Sequence, residues 1–292
     1  MTNNQTIVSE IDLLGSLHVL VETYETIATS SMRRVRNSVL QNRTYHLGLN
    51  SLFQEVKRAY RAEMMILTKR RNIPLNISAI RHNGKTIFVL LSANTGLYGD
   101  IIQKTFALFL ESVQNQHGDI VVVGRVGKAL FEDSMPGTPY QYFDFPDDKI
   151  ELENLKAITE HLKEYEKVVA FYGTFKNFIE QVPTHTDVSG DIPEEKTGPV
   201  GKIEYVFEPS IEAVTYFFET EIFASLLEQV FHESRLAKLA SRMVLLDRAT
   251  LNIDTAIKKM SFQRQQVRHR IYNRKQLDQV SGAGLWGSIN GK

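Results

Sequence analysis

Apolar positions recur in steps of three and four along the last part of the chain: Leu236, Leu239, Met243, Leu246, Thr250, Ile253, Ile257, Met260, Arg264, Val267, Ile271 and Arg274. A period of 3.5 kept over that length predicts a left-handed coiled coil rather than a lone amphipathic helix. No glycine or proline falls between Ser210 and Ser281, so nothing in the backbone interrupts the pattern. At about 1.5 Å per residue such a helix reaches roughly 100 Å. A looser stripe opens the chain, with Leu13, Leu17, Leu20, Tyr24 and Ile27, continued by Ala28, Met32, Val35 and Val39. All eight prolines, from Pro74 to Pro209, lie between the two stretches. An interior proline costs a helix about 3 kcal/mol, so their confinement to the middle leaves both ends free to be long helices. The plainer reading of the same period is a pair of ordinary bundle helices; the length and the regular alternation favour a shaft.

Between the helices the period changes. The runs Thr86–Ser92, Asp119–Gly124 and Lys167–Tyr172 are apolar on both faces, and helical segments at Asp100–Gln114, Val126–Phe131 and Leu152–Tyr165 separate them. That pattern predicts parallel strands covered by helices. Proline- and glycine-rich pieces at 134–148 and 183–201 read as exposed loops. The expected architecture is α/β plus coiled coil: two long antiparallel terminal helices flanking a small Rossmann-like α/β domain with a mainly parallel sheet. The corresponding divisions are residues 1–72, 73–208, 209–283 and a tail at 284–292.

Composition changes this picture little. Of 292 residues, 42% are hydrophobic and 23% charged, an ordinary globular balance with no run long enough to span a bilayer. The absence of cysteine excludes disulfides, thiolate metal sites and a cysteine nucleophile. The first residues carry neither a signal core nor an arginine-rich leader, which fits a cytoplasmic protein. Charge is more informative. The net value is zero, yet Arg33 to Arg71 and Lys258 to Lys275 are strongly basic, while acids gather at Glu151–Glu166 and Asp187–Glu195. Basic ends around an acidic centre predict acidic partners at both ends.

Candidate chemistry is sparse. The turn Asn94-Thr95-Gly96-Leu97-Tyr98-Gly99 follows the first strand and opens a helix, where an anion could sit. It is not the G-x-G-x-x-G fingerprint, and no Walker loop precedes Lys128. The eight histidines show no metal-ligand spacing, and no serine stands in a nucleophile elbow. The basic stretches share their helices with the apolar seam and lack interleaved aromatics near the C-terminus, which argues against nucleic acid.

Six short segments occur in an order that resembles one family. They are Ile27-Ala28-Thr29-Ser30-Ser31-Met32-Arg33-Arg34, Ser92–Gly99, Phe175–Thr184, Tyr205–Ser210, Ala240-Ser241-Arg242-Met243-Val244 with Ala249-Thr250 and Asn252, and Val280–Ala283. Over nearly its whole length the chain resembles the gamma subunit of F-type ATP synthases. It departs from that family at Asn94-Thr95, where Asp-Arg is usual, and at Tyr98, where cysteine is usual. It departs again at Gln265–His269, where Arg268 is kept and His269 replaces a glutamine.

The resemblance implies a central-stalk rotor with no active site of its own and no cofactor. It would transmit torque between the membrane ion-driven ring (the c-ring) and the alpha/beta hexamer, coupling proton transport to ATP synthesis. The implied location is peripheral, on the cytoplasmic side of the inner or plasma membrane, without direct membrane insertion or nucleic acid. The resemblance also implies that Met32, Arg33, Arg34 and Arg36, with Arg264, Arg268 and His269, meet the alpha and beta subunits. It places Tyr205, Glu208 and Pro209 near the ring and the epsilon subunit. If Leu49 and Phe53 pair with Phe217 and Phe218, facing positions sum to about 270 in an antiparallel seam. Ile7 then meets Phe262, and the helix beyond Arg264 stands alone. The alternatives are a coiled-coil adaptor, a nucleotide-binding α/β protein using Gly96 and Gly99, and a related motor with another task.

Overall fold

The computed structural model describes residues 4–71, 83–189, 208 and 211–289. The chain opens with α1, Asn4–Arg71, of 68 residues, and closes with α5, Ile211–Ile289, of 79 residues. Between them run β1 (Thr86–Leu91), α2 (Ile101–Asn115), β2 (Asp119–Val123), α3 (Arg125–Ser134), β3 (Gln141–Phe143), α4 (Leu152–Leu162), β4 (Lys167–Phe175) and β5 (Gln181–Asp187). The terminal helices and the helices and strands expected at the apolar runs are therefore present. Two compact units result: residues 28–244, and residues 1–27 with 245–292. The boundaries expected near 72–73 and 208–209 touch residues outside those described. The stretch expected as a tail from 284 continues α5 as far as Ile289.

In the unit 28–244, five strands lie in the order β3-β2-β1-β4-β5. The pairs β1–β2, β1–β4 and β2–β3 are parallel, and β4–β5 is antiparallel. Successive side chains of a strand point to opposite faces, so two cores form. On one face Ile87, Val89, Val121, Val168 and Ala170 meet Leu155, Ile158 and Leu162 of α4 and Phe223, Leu227, Val230 and Phe231 of α5. On the other, Phe88, Leu90, Val122 and Phe171 meet Phe106 and Phe109 of α2 and Phe131 of α3. Strands buried on both faces need the continuous apolar runs seen in the sequence.

The loops expected at 134–148 and 183–201 are corrected in part: the first contains β3 and the second begins inside β5. Proline 183 is tolerated because β5 is an edge strand, where a missing N–H breaks no interior ladder. Its partner in register is Gly173, whose absent Cβ would stand 2.6 Å from Ile101 Cγ1. The strand therefore passes closely over α2.

The same unit holds a helix–helix seam. Met32 and Val35 of α1 pack with Leu236, Leu239 and Ala240 of α5, flanked by Val39 and Met243. Thr29 Oγ1 lies 3.9 Å from Met243 Sδ, and the rings of Phe53 and Phe218 stack with centroids 5.9 Å apart. These facing numbers total 272 and 271, against the 270 expected, and run in opposite directions along the two helices. The pairing is antiparallel.

In the unit of 1–27 with 245–292, the buried positions of α1 are not the expected ones. Leu13, Leu17, Leu20, Tyr24 and Ile27 are exposed, Leu13 by 62%. Ile7 is buried, and Ile11, Leu14, His18, Val21 and Glu25 are half-buried. These six positions themselves alternate in steps of four and three, so the seam is a heptad, set one position round the helix from the apolar stripe. His18 Nε2 lies 3.1 Å from Asp254 Oδ1, which fixes this phase. On α5, Leu246 is buried, Ile253, Ile257 and Met260 are half-buried, and every residue from Arg268 to Ser281 is exposed. Among the described residues no helix is long and apolar enough to cross a membrane.

Candidate functional site

Two of the quoted segments, Ser92–Gly99 and Ala240–Val244, meet in the structure. Gly99 adopts φ 60°, and a Cβ there would come within 2.5 Å of Ser241 Oγ. Glycine is required twice over, for the left-handed backbone and for the close approach. Ser241 Oγ donates to Tyr98 O at 2.7 Å. Arg242 donates from Nη2 to Gly96 O at 3.0 Å and to Thr95 Oγ1 at 3.2 Å. Its guanidinium also stands 4.0 Å from the centroid of the buried Tyr98 ring. Burial pushes the Tyr98 phenol up from its usual pKa, so it stays neutral beneath the cation. The turn is thus clamped to α5 by one arginine and one serine.

Two backbone donors at the head of the candidate phosphate turn are already used. Asn94 N and Thr95 N donate to Asp147 Oδ2 at 3.0 and 2.9 Å, and Thr95 Oγ1 donates to the same oxygen at 2.9 Å. The Asn94 side chain donates from Nδ2 to Phe145 O and to Asp144, and its Oδ1 accepts from Arg125 N at 2.9 Å. A carboxylate of the chain itself thus takes the backbone N–H groups of Asn94 and Thr95. Asp147 in turn lies 3.8 Å from Lys238 Nζ of α5, which donates to Ser92 O at 2.7 Å. Aspartate 147 and Lys238 were not singled out in the sequence; Pro146-Asp147-Asp148 reads there as loop, and Lys238 as one more polar position between heptad residues.

The residues expected to meet partners are placed as follows. Arg33, Arg34 and Arg36 are exposed on α1, but Met32 is buried in the seam at a heptad position, so its side chain faces α5 instead of a partner. Arg264, Arg268 and His269 are exposed on α5. Glu208 is exposed, while Tyr205 and Pro209 lie outside the described residues. The heptad residues Leu236, Leu239 and Leu246 are buried and Met243, Ile253, Ile257 and Met260 half-buried. Among the described residues no group of three or more His, Asp or Glu side chains could hold a metal.

Comparison with known proteins follows the same line. A family model described as ATP synthase matches residues 3–283. An ATP synthase gamma chain of Pelotomaculum thermopropionicum is 23% identical over 285 residues, covering 94% of this chain and 95% of the relative. One from Chloroherpeton thalassium is 23% identical over 298 residues, with 94% and 95% covered. Among solved structures, a chain from the central stalk and c-ring of Tetrahymena thermophila mitochondrial ATP synthase superposes with a TM-score of 0.54 at 18% identity, covering 79% of this chain and 99% of its own. One from Euglena gracilis mitochondrial ATP synthase gives 0.52 at 14% identity, with 90% and 97% covered. At these identities the superpositions speak for the fold.

Proposed function

We propose that this chain, which belongs to the ATP synthase family as a gamma-type subunit, works as the central stalk of a rotary F-type machine, passing torque between a membrane ring and an alpha/beta hexamer. The observation that carries the reading is the end of α5. From Arg268 to Ser281 every residue is exposed on a helix with no break. Such a helix buries nothing within its own chain, so its order in service needs surrounding protein. Arg264, Arg268 and His269 lie on or beside this segment and Arg33, Arg34 and Arg36 on α1, and acidic loops of beta subunits suit them. Exposed ion pairs are each worth about 0–1 kcal/mol, which fits a surface that must pass equivalent partners in turn. The stalk has no catalytic group of its own. It sits on the cytoplasmic face of the membrane, with Glu208 and the adjoining residues toward the ring and the epsilon subunit.

The nucleotide-binding alternative is disfavoured by Asp147, which a phosphate would have to displace from the backbone N–H groups of Asn94 and Thr95. A disulfide between Arg268→Cys and a cysteine placed in a beta subunit tests the rotor in the assembled complex. ATP turnover should stop when the bond forms and return when it is reduced. Full turnover with the bond intact overturns the proposal.

A further inference from the structure

The clamp around Asp147 adjoins a small, mainly apolar space with a few polar groups on its α5 wall. A cavity of about 20 Å³ lies where β1 and β2 end against α5, lined by Ser92, Val123, Asp147, Ser234, Arg235 and Lys238 among others. That is room for one water or one monatomic ion. The carboxyl ends of parallel strands beside a reversal of strand order are where α/β sheets present crevices.

Its walls are short of acceptors. Ser234 is 2% exposed, and its hydroxyl has no hydrogen-bond partner among the described residues. Arg235 Nε is likewise without one. Asp147, the carboxylate on the wall, already accepts from Asn94 N, Thr95 N and Thr95 Oγ1. Charge is crowded here: Arg235 is influenced by Asp148, Arg34 and Asp147, and Lys238 by Asp147, Arg235 and Arg242. Burial lowers the pKa of both Lys238 and Arg235, the mark of buried positive charge without full compensation. A buried donor left unmade and a buried cation left unpaired each cost stability, and one acceptor with negative charge would relieve both.

We propose that this cavity is a binding site for a halide-sized monovalent anion, held by the hydroxyl of Ser234 and by Arg235 Nε beside Lys238. A water would fill the space but leave the charge. The anion acts as a neutralising pin between the sheet and α5, and the site stands whether or not the chain turns in a motor.

The test uses the full chain. Thermal unfolding is compared in sodium chloride and in sodium gluconate at equal ionic strength, gluconate being too large for the cavity. Chloride should raise the unfolding temperature by about 3 °C at concentrations well above the dissociation constant. Ser234→Ala should abolish that increment, whereas chloride acting generally on the surface leaves it intact and overturns the site. Equal unfolding temperatures of the native chain in the two salts also overturn it. Crystals grown in sodium bromide give an independent reading should the variant fail to fold. An anomalous peak in the cavity supports the proposal, and a water or empty density there sinks it.

Discussion

The two compact units use the same two helices and the same heptad alternation, yet fill the seam differently. In residues 28–244 the seam is Met32, Val35, Leu236, Leu239 and Ala240, all buried, and Ser241 and Arg242 beside it reach across to the glycine turn. In residues 1–27 with 245–292 it is Ile7, Ile11, Leu14, His18, Val21 and Glu25 against Leu246, Ile253 and Ile257, mostly half-buried. The apolar side chains of that second stretch, Leu13, Leu17, Leu20, Tyr24 and Ile27, are left outside. In one region the helix pair is thus fixed by packing, and α5 is hooked to the glycine turn as well. In the other it is aligned by a polar pair, and its most apolar stripe is exposed.

The largest expected effect tests that contrast directly. Leu239→Ala, in the packed seam, should lose about 3 kcal/mol in denaturant unfolding, and Ile257→Ala, half-buried in the other unit, about 1 kcal/mol. Equal losses would erase the distinction. The hooks come next. Arg242→Ala removes three hydrogen bonds and the contact over Tyr98, and should cost about 1.5 kcal/mol, with faster hydrogen exchange in the turn 94–99 as its local signature. An unchanged exchange rate there would mean that the turn holds itself. The smallest effect has the opposite sign. His18→Leu should stabilise the chain by about 1 kcal/mol in thermal melts, since a polar residue at a seam position trades stability for register. A destabilised variant would show that the His18–Asp254 contact does more than set alignment.

Much of this was legible from residues alone, and the failures share a cause. The seam of α5 was readable because its heptad positions are also its most apolar face. On α1 the most apolar face and the seam differ. A search for the greasiest stripe finds Leu13 to Ile27, while the true contact runs through His18 and Glu25, whose polarity hides it. Antiparallel pairing puts His18 opposite Asp254, and only knowledge of the partner reveals the fit. Strand β5 escaped because Gln181-Val182-Pro183-Thr184-His185-Thr186-Asp187 is polar and contains a proline, both allowed only at an edge, and edge position is a property of the sheet. The glycine turn was visible as a turn. Its occupation by Asp147 was not, because the two are brought together by β2, α3 and β3 folding back between them.

The antiparallel register has a consequence for how such a chain can change length. In residues 28–244, Thr29 faces Met243 and Phe53 faces Phe218, so the span between the two contacts is nearly equal on both helices. An insertion in one arm alone would turn every later side chain away from its mate. Lineages that lengthen or shorten this pair are therefore expected to do so by matched gaps in both arms, in whole heptads, two distant stretches of the gene drifting in step.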